Sequence, residues 1–480
     1  MTFVLNERGV ILVLCYINLL NYADRGIIPG APERFQHFIS SSLGVDATQQ
    51  NFYLGLLATV SMSSTAVFAP IFGYLEQNYR PFQLIVVGMA TWVMAELVSA
   101  LSYLVHSYYL LLVGRVLSGI GDASFLCNGI SFINRHAPKE NSTVWLSIFS
   151  ASVTVGIATG YVCGAAIAST PFTWAGAFFL EAILMLPAIM MCVKFIPDEL
   201  NELAGETYAY ELQTSDASTT FLSGCWCVVS NLAFLLVAFG HAAYTFTLSA
   251  FSVFGPILFI VMGFIDSESG VSLAFGRIIV LSGTLGTVFG GVALDRMTRR
   301  NSVSQRERSQ SAVELIFGLM CLALASGLVM MALHGSRNWF LALLALTFFF
   351  MSAIGPAETV AVMEMFPESR QPMAVASNMA IYLLFGEIPA PVLVGWLKDT
   401  LASRCDTVEI DGSLQLDPEC SKDRTGIMSV LLYTWLWLGW AVLLWAWAKF
   451  ELGRGKSVVA PGDYYELTEE EQIKMRRDSY

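Results

Sequence analysis

Charged residues are scarce in this sequence. Only 13% of its 480 residues are Asp, Glu, Lys or Arg, against about 25% in a typical soluble domain. They are also clumped, leaving long stretches with one charge or none. A water-soluble fold is thereby excluded, because an apolar content of 55% cannot be hidden inside one core. A basic surface is missing too: the net charge is −12, which removes nucleic acid as a partner. The nine cysteines form no CxxC pair, and the five histidines form no HxxH or HExxH. No metal or cofactor is therefore expected, and a membrane enzyme would lack a visible nucleophile or acid–base cluster. The first apolar run has no small-residue cleavage site, so it reads as a retained span rather than a signal peptide.

What the chain has in abundance is apolar runs long enough to cross a bilayer, which takes about 20 helical residues. Such runs lie near 9–30, 52–75, 83–105, 108–134, 143–168 and 172–196, then near 228–254, 271–294, 311–333, 338–360, 373–396 and 427–449. Twelve spans arranged six and six predict an all-α polytopic membrane protein. Its expected parts are an N-terminal six-helix bundle over 9–196, a cytoplasmic linker over 197–227, a C-terminal six-helix bundle over 228–450 and a cytoplasmic tail over 451–480. The stretch 251–265 is apolar but too short for an independent crossing. It reads as the end of the seventh helix plus a buried or interfacial connection, interrupted at Gly255-Pro256. Lys and Arg concentrate in loops that an N-inside arrangement puts in the cytoplasm, the Arg296–Arg308 cluster among them, so both termini are expected there. Asn141-Ser142-Thr143 falls in a cytoplasmic loop and should stay unglycosylated.

The two halves echo one another. GYLEQNYRP from Gly73 ends the second span, and GVALDRMTRR from Gly291 ends the eighth. Duplicated six-helix bundles are a common transporter plan, with the substrate path between them. Charges inside the spans are the next signal, because each costs at least a few kcal/mol at mid-bilayer on insertion scales. In the first span Asn18, Asn21, Asp24 and Arg25 recur on one helix face. In the fourth, Arg115, Gly119 and Asp122 do the same, with Gly114 and Gly121 allowing close helix approach. Asp24 and Asp122 are candidate proton sites, and Arg115 is a candidate partner for an anionic headgroup or a titrating acid. Glu387 sits in FGEIPAP, where two prolines should break the helix and bare carbonyls near the acid. Glu96, Glu181, Glu314, Glu358 and Glu364 are further acids, and His241 and Arg277 are further cavity candidates; helix packing explains each of these singly at least as well. Asp295 beside Arg296, Arg299 and Arg300 reads as a releasable latch of a carboxylate capped by guanidiniums.

These residues resemble the major facilitator superfamily and, within it, the Spinster family of lysolipid and sphingolipid transporters. Gly291, Asp295, Arg296, Arg299 and Arg300 match the loop signature Gly-x-x-x-Asp-Arg-x-Gly-Arg-Arg, with Thr298 in place of the second glycine. The first-half copy departs: Gly73 stands, but Gln77 and Asn78 occupy the Asp-Arg places. Arg115 to Gly119 matches the fourth-helix signature Arg-x-x-x-Gly. NYADR at 21–25, GRVLSGIGDASF at 114–125 and the stretch 370–399 are similar to Spinster proteins, which usually carry glutamate at Asp122 and aspartate at Glu387. The resemblance implies the major-facilitator fold, two pseudo-symmetric bundles rocking around a central cavity. It implies a monomer moving a lipid-like amphiphile with protons as coupling ion, Asp24, Arg25 and Asp122 forming the coupling and gating group. A carrier of small organic anions and a non-transporting sensor remain as alternatives.

Two features lie outside that frame. Cys405 and Cys420 share one polar outer loop, enclose Gly412 and Pro418, and are expected to form a disulfide. Tyr464-Tyr465-Glu466-Leu467 in the tail resembles a tyrosine-based sorting signal, which would bring a sorting adaptor and an endolysosomal address; without it the plasma membrane is expected.

Overall fold

The computed structural model describes residues 5–45, 47–76, 78–138, 141–201, 221–261, 268–299, 304–333, 335–402, 407–410, 413–416 and 422–454. Twelve helices among them are long and apolar enough to span a membrane. In the first half these are α1 (Glu7–Gly30), α3 (Ala47–Leu75), α4 (Pro81–Val105), α5 (Tyr108–His136), α6 (Ser142–Ala168) and α7 (Ala175–Lys194); the short α2 (Pro32–Leu43) follows α1. A nine-residue helix α8 (Phe221–Val229) leads into the second half. There the spans are α9 (Leu232–Val261), α10 (Glu268–Met297), α11 (Gln305–Ala332), α12 (Arg337–Met363), a broken span of α13 (Gln371–Tyr382) and α14 (Pro389–Leu401), and α15 (Arg424–Gly453).

The helix starts are written locally. Asn6 accepts from the Gly9 amide at 2.8 Å, Pro81 sits in the first turn of α4, and Ser304 with Glu307 forms a capping box for α11. Each device serves amides that would otherwise lack partners in an apolar setting. The expected interruption at Gly255-Pro256 does not occur: α9 runs through both residues to Val261, as a proline can within a membrane helix. The FGEIPAP segment does break. Leu383–Glu387 form a π-helical turn between α13 and α14, because Pro389 has no N–H to give and its ring crowds the carbonyl four residues back.

Within the first half α4 packs on α5 and α7, α3 on α5, and α1 on α6. The α1–α6 contact rests on Gly156, Gly160 and Gly164, which meet the backbone of α1 at Leu19, Ala23 and Ile27. A methyl on Gly160 would run into the Ala23 carbonyl. The halves meet where α3 crosses α13 and where α6 crosses α10. The polar segment after α14 forms a small hairpin, with β1 (Thr407–Ile410) antiparallel to β2 (Ser413–Leu416). Cys405, Cys420, Arg300 and the tail residues Tyr464 to Leu467 lie outside the described residues.

Candidate functional site

Asp24 and Arg25 are chain neighbours, hence about 100° apart around α1, and they reach different partners. Asp24 is 1% exposed and accepts from Arg115 Nη1 of α5 at 2.7 and 2.8 Å through its two oxygens. Arg25 donates to Asp122, one helical segment further along α5, at 3.1 Å. The two ion pairs therefore bolt α1 to α5 at two levels. Arg115 Nη2 also donates to Ser99 at 3.2 Å and to Glu96 Oε1 at 3.4 Å, both on α4. The Phe178 ring of α7 lies 4.9 Å from this guanidinium, a cation–π contact in a place sheltered from water. Arg115 is thus held by acids of its own bundle.

Other members of the predicted face serve different ends. Asn18 donates to the Phe149 carbonyl and to Ser152, both at 2.9 Å, tying α1 to α6. The Asn21 amide is buried with no hydrogen-bond partner among the described residues. Gly119 lies against the Ser61 carbonyl and Thr65 of α3, so the fourth-helix signature pairs a buried charge with a close crossing. Glu387 is half-buried rather than deep, yet it stands within electrostatic reach of Arg25 and Tyr22 across the bundle interface. Arg277 is exposed, and Glu314 pairs with Lys449 near the helix ends at 3.4 Å.

Two groupings were not apparent from sequence. In the second half Glu358 receives Asn378 at 3.0 Å and stands 3.0 Å from His241, whose ring packs on Tyr382 at 4.5 Å. In the first half Glu96 and Glu181 join Asp24 in one buried cluster. Both groupings draw on different helices, so no spacing along the chain announces them. The only hint is an acid in an apolar run.

The latch differs from the expected one. Arg296 and Arg299 are exposed. The Asp295 carboxylate instead accepts from the Thr143 and Val144 amides at 3.2 and 2.9 Å. It caps the N-terminus of α6 from the opposite bundle, where the unpaired amides and helix dipole favour an anion. Arg308 completes the contact, bonding Ser142 and Thr143 while also reaching Glu364 at 3.2 Å. In the first half the buried Glu76 pairs with Arg135, within its own bundle. Asn134 makes the crossing there, donating to Gln371 at 3.0 Å.

Twelve spans in two joined halves, an echoed loop signature and a charged first-helix to fourth-helix core all point one way, and sequence comparison decides it. The sequence model of the family described as Major Facilitator Superfamily matches residues 14–304. The chain belongs to that superfamily. As a Major Facilitator Superfamily protein it is a multi-pass membrane transporter and not an enzyme. It is 30% identical over 411 residues to a probable sphingolipid transporter, spinster homolog 2, of Arabidopsis thaliana, covering 82% of this chain and 81% of that one. Its fold is similar to a bacterial homolog of the human lysosomal transporter Spinster in an inward-facing, unoccupied conformation, with a TM-score of 0.58, 15% identity, and 95% and 99% of the two chains covered. It is also similar to the human organic anion transporter MFSD10, with a TM-score of 0.61, 14% identity, and 90% and 100% covered. The Spinster resemblance thus holds within the superfamily fold.

Proposed function

We propose that the protein is a proton-coupled secondary transporter that moves a lysophospholipid or sphingolipid-like amphiphile by alternating access. The observation that carries this reading is the crossed set of ion pairs, the buried Asp24–Arg115 and the part-buried Arg25–Asp122. Two guanidiniums and two carboxylates are a costly arrangement for simply holding helices together. They are useful if occupation of the cavity or a change of protonation rearranges them. Glu387, in electrostatic reach of Arg25 from the other bundle, would let that change be felt across the interface. The family likeness to proteins named as probable sphingolipid transporters supports a lipid substrate.

Gating falls to the face where Asp295, Arg308, Asn134 and Gln371 join the bundles. The basic loops lie on that face, which makes it cytoplasmic in an N-inside arrangement. We read the protein as a monomer with both termini in the cytoplasm, in an endolysosomal membrane if Tyr464 to Leu467 engage an adaptor and in the plasma membrane otherwise.

The test is reconstitution into liposomes, with lysolipid and sphingolipid movement measured with and without an imposed pH gradient. Gradient-stimulated lipid uptake is expected. Uptake of small organic anions in preference to lipid would replace the substrate assignment, and no flux of either would favour a sensor.

A further inference from the structure

In the first bundle buried acids outnumber bases. Asp24 of α1, Glu96 of α4 and Glu181 of α7 bring carboxylate oxygens within 4.8 Å of one another, at 1%, 0% and 6% exposure. The groups facing them are Arg115 and Asp122 of α5 and Cys163 of α6. Arg25 already holds Asp122. Arg115 spends Nη1 on both Asp24 oxygens and reaches Glu96 only at 3.4 Å. Glu96 Oε2 and Glu181 Oε2 are both buried and without a hydrogen-bond partner among the described residues, as are Arg115 Nε and Asp122 Oδ1 beside them.

Three ionised carboxylates around one guanidinium would leave two uncompensated negative charges in the bundle interior, where even one is expensive. A metal cation is a poor remedy, because the Arg115 guanidinium already stands among the same oxygens. A proton is a good one, since a protonated carboxyl offers the O–H donor that a neighbouring carboxylate oxygen lacks. A narrow cleft of about 50 Å³ between α1, α6 and α7 reaches Glu181 past Ala23 and Cys163. Its lining residues Leu180 and Leu184 are exposed on the bundle surface. The space exceeds the roughly 10–15 Å³ that one water needs, and Thr159 and Glu181 are polar groups on its lining.

We propose that Glu96 and Glu181 carry the coupling proton, while Asp24 and Asp122 remain ionised as partners of the two guanidiniums. Adding the proton turns one carboxylate into a carboxyl and leaves Arg115 to Asp24 alone; losing it draws Arg115 Nη2 toward Glu96. The proton is thus reported to the α1–α5 ion pairs without being bound by them. This rests on the proton-coupled reading above.

The experiment uses the full chain in liposomes, with substrate accumulation and proton flux recorded together. One unit of pH across the membrane supports about tenfold accumulation for one-proton coupling. Glu96→Gln and Glu181→Gln should lower that ratio toward unity and abolish substrate-dependent proton flux per inserted molecule. If wild type ignores the pH gradient, the proton-coupled reading itself fails. If wild type is coupled and both Gln variants keep its accumulation ratio, the assignment to this pair fails. Should the Gln variants misfold, Glu181→Asp retains the acid but withdraws it by one methylene and should move the pH midpoint of driven uptake; an unmoved midpoint overturns the proposal. Accumulation driven by a Na⁺ gradient at equal pH, and lost in Glu181→Gln, would overturn it in favour of a metal ion.

Discussion

Gly73 and Gly291 hold equivalent places in the two halves, each where its helix crosses a helix of the other bundle. Gly73 of α3 lies against the Pro372 carbonyl and Ala376 of α13, and Gly291 of α10 lies against the Thr143 carbonyl and Ser147 of α6. The signature glycine therefore keeps its job in the first half even though Gln77 and Asn78 have replaced the charged pair that follows it.

A side chain at either position should wedge this face open. Overpacking costs about 1–3 kcal/mol, enough to shift a two-state equilibrium by about fivefold or more. Spin labels at Tyr79 and Glu368, both exposed beside the α3–α13 crossing, should move apart in Gly73→Val, and uptake should slow. An unchanged distance would mean that the hydrogen-bonded contacts alone set closure.

Glu76, just past the end of α3, lies outside the spans and has a strongly altered acidity. Burial pushes its carboxyl up to about 7, more than the pairing with Arg135 pulls it down. The folded state thus holds this proton more tightly than the unfolded chain, so stability is fullest below about pH 4.5 and is lost as pH rises through about 7. Wild type should melt at a lower temperature at pH 8 than at pH 5. Glu76→Gln, which cannot ionise, should show a smaller difference. Equal pH dependence in the two would remove Glu76 from the explanation.

Arg115 should not tolerate lysine in function. A point charge cannot hold both Asp24 oxygens and still reach Glu96 and Ser99. Arg115→Lys should insert normally yet lose about tenfold or more in uptake per molecule, the cost of about one hydrogen bond to a charged group. Arg115→Ala, which strands Asp24 without a partner, should lower the amount of folded protein, by analogy with the roughly 3–5 kcal/mol lost when a buried pair is broken. Size-exclusion profiles alongside uptake separate the two effects.

Mass spectrometry of the non-reduced protein should find Cys405 joined to Cys420. The β1–β2 hairpin between them turns the chain back on itself, and closing a loop of about 15 residues adds up to ~3 kcal/mol in the chain-entropy model. Alkylation of both thiols without reduction would refute it.

The spans were readable from sequence because a bilayer demands a long apolar run, and a run is a local property. The charged residues of the core were readable for the same reason, as exceptions within those runs. Which charge meets which was not. Asp24 and Arg25 look like a ready-made pair, yet adjacent helical residues diverge, and each is claimed by α5. Asp295 looks destined for the arginines beside it, yet among the described residues it is the amides of α6 that bind it. Glu96 and Glu181 looked like isolated packing acids until three helices brought them to Asp24. Helix phase and tertiary approach decide such pairings, and neither is written in spacing.

The five-residue turn at Leu383–Glu387 has a consequence for registry. A wide turn accommodates what amounts to one added residue, and in an α-helix one residue corresponds to a rotation of about 100°. Everything after Glu387 is thereby phased differently from the span that leads in. Trp396, 67% exposed on α14, lies beyond that offset. Deleting a single residue from this turn would restore the ordinary winding and leave Trp396 facing where it does, whereas winding the turn as ordinary α-helix with every residue kept would swing it by about 100°, so that the span beyond Glu387 would present a different side chain at every position without any being replaced.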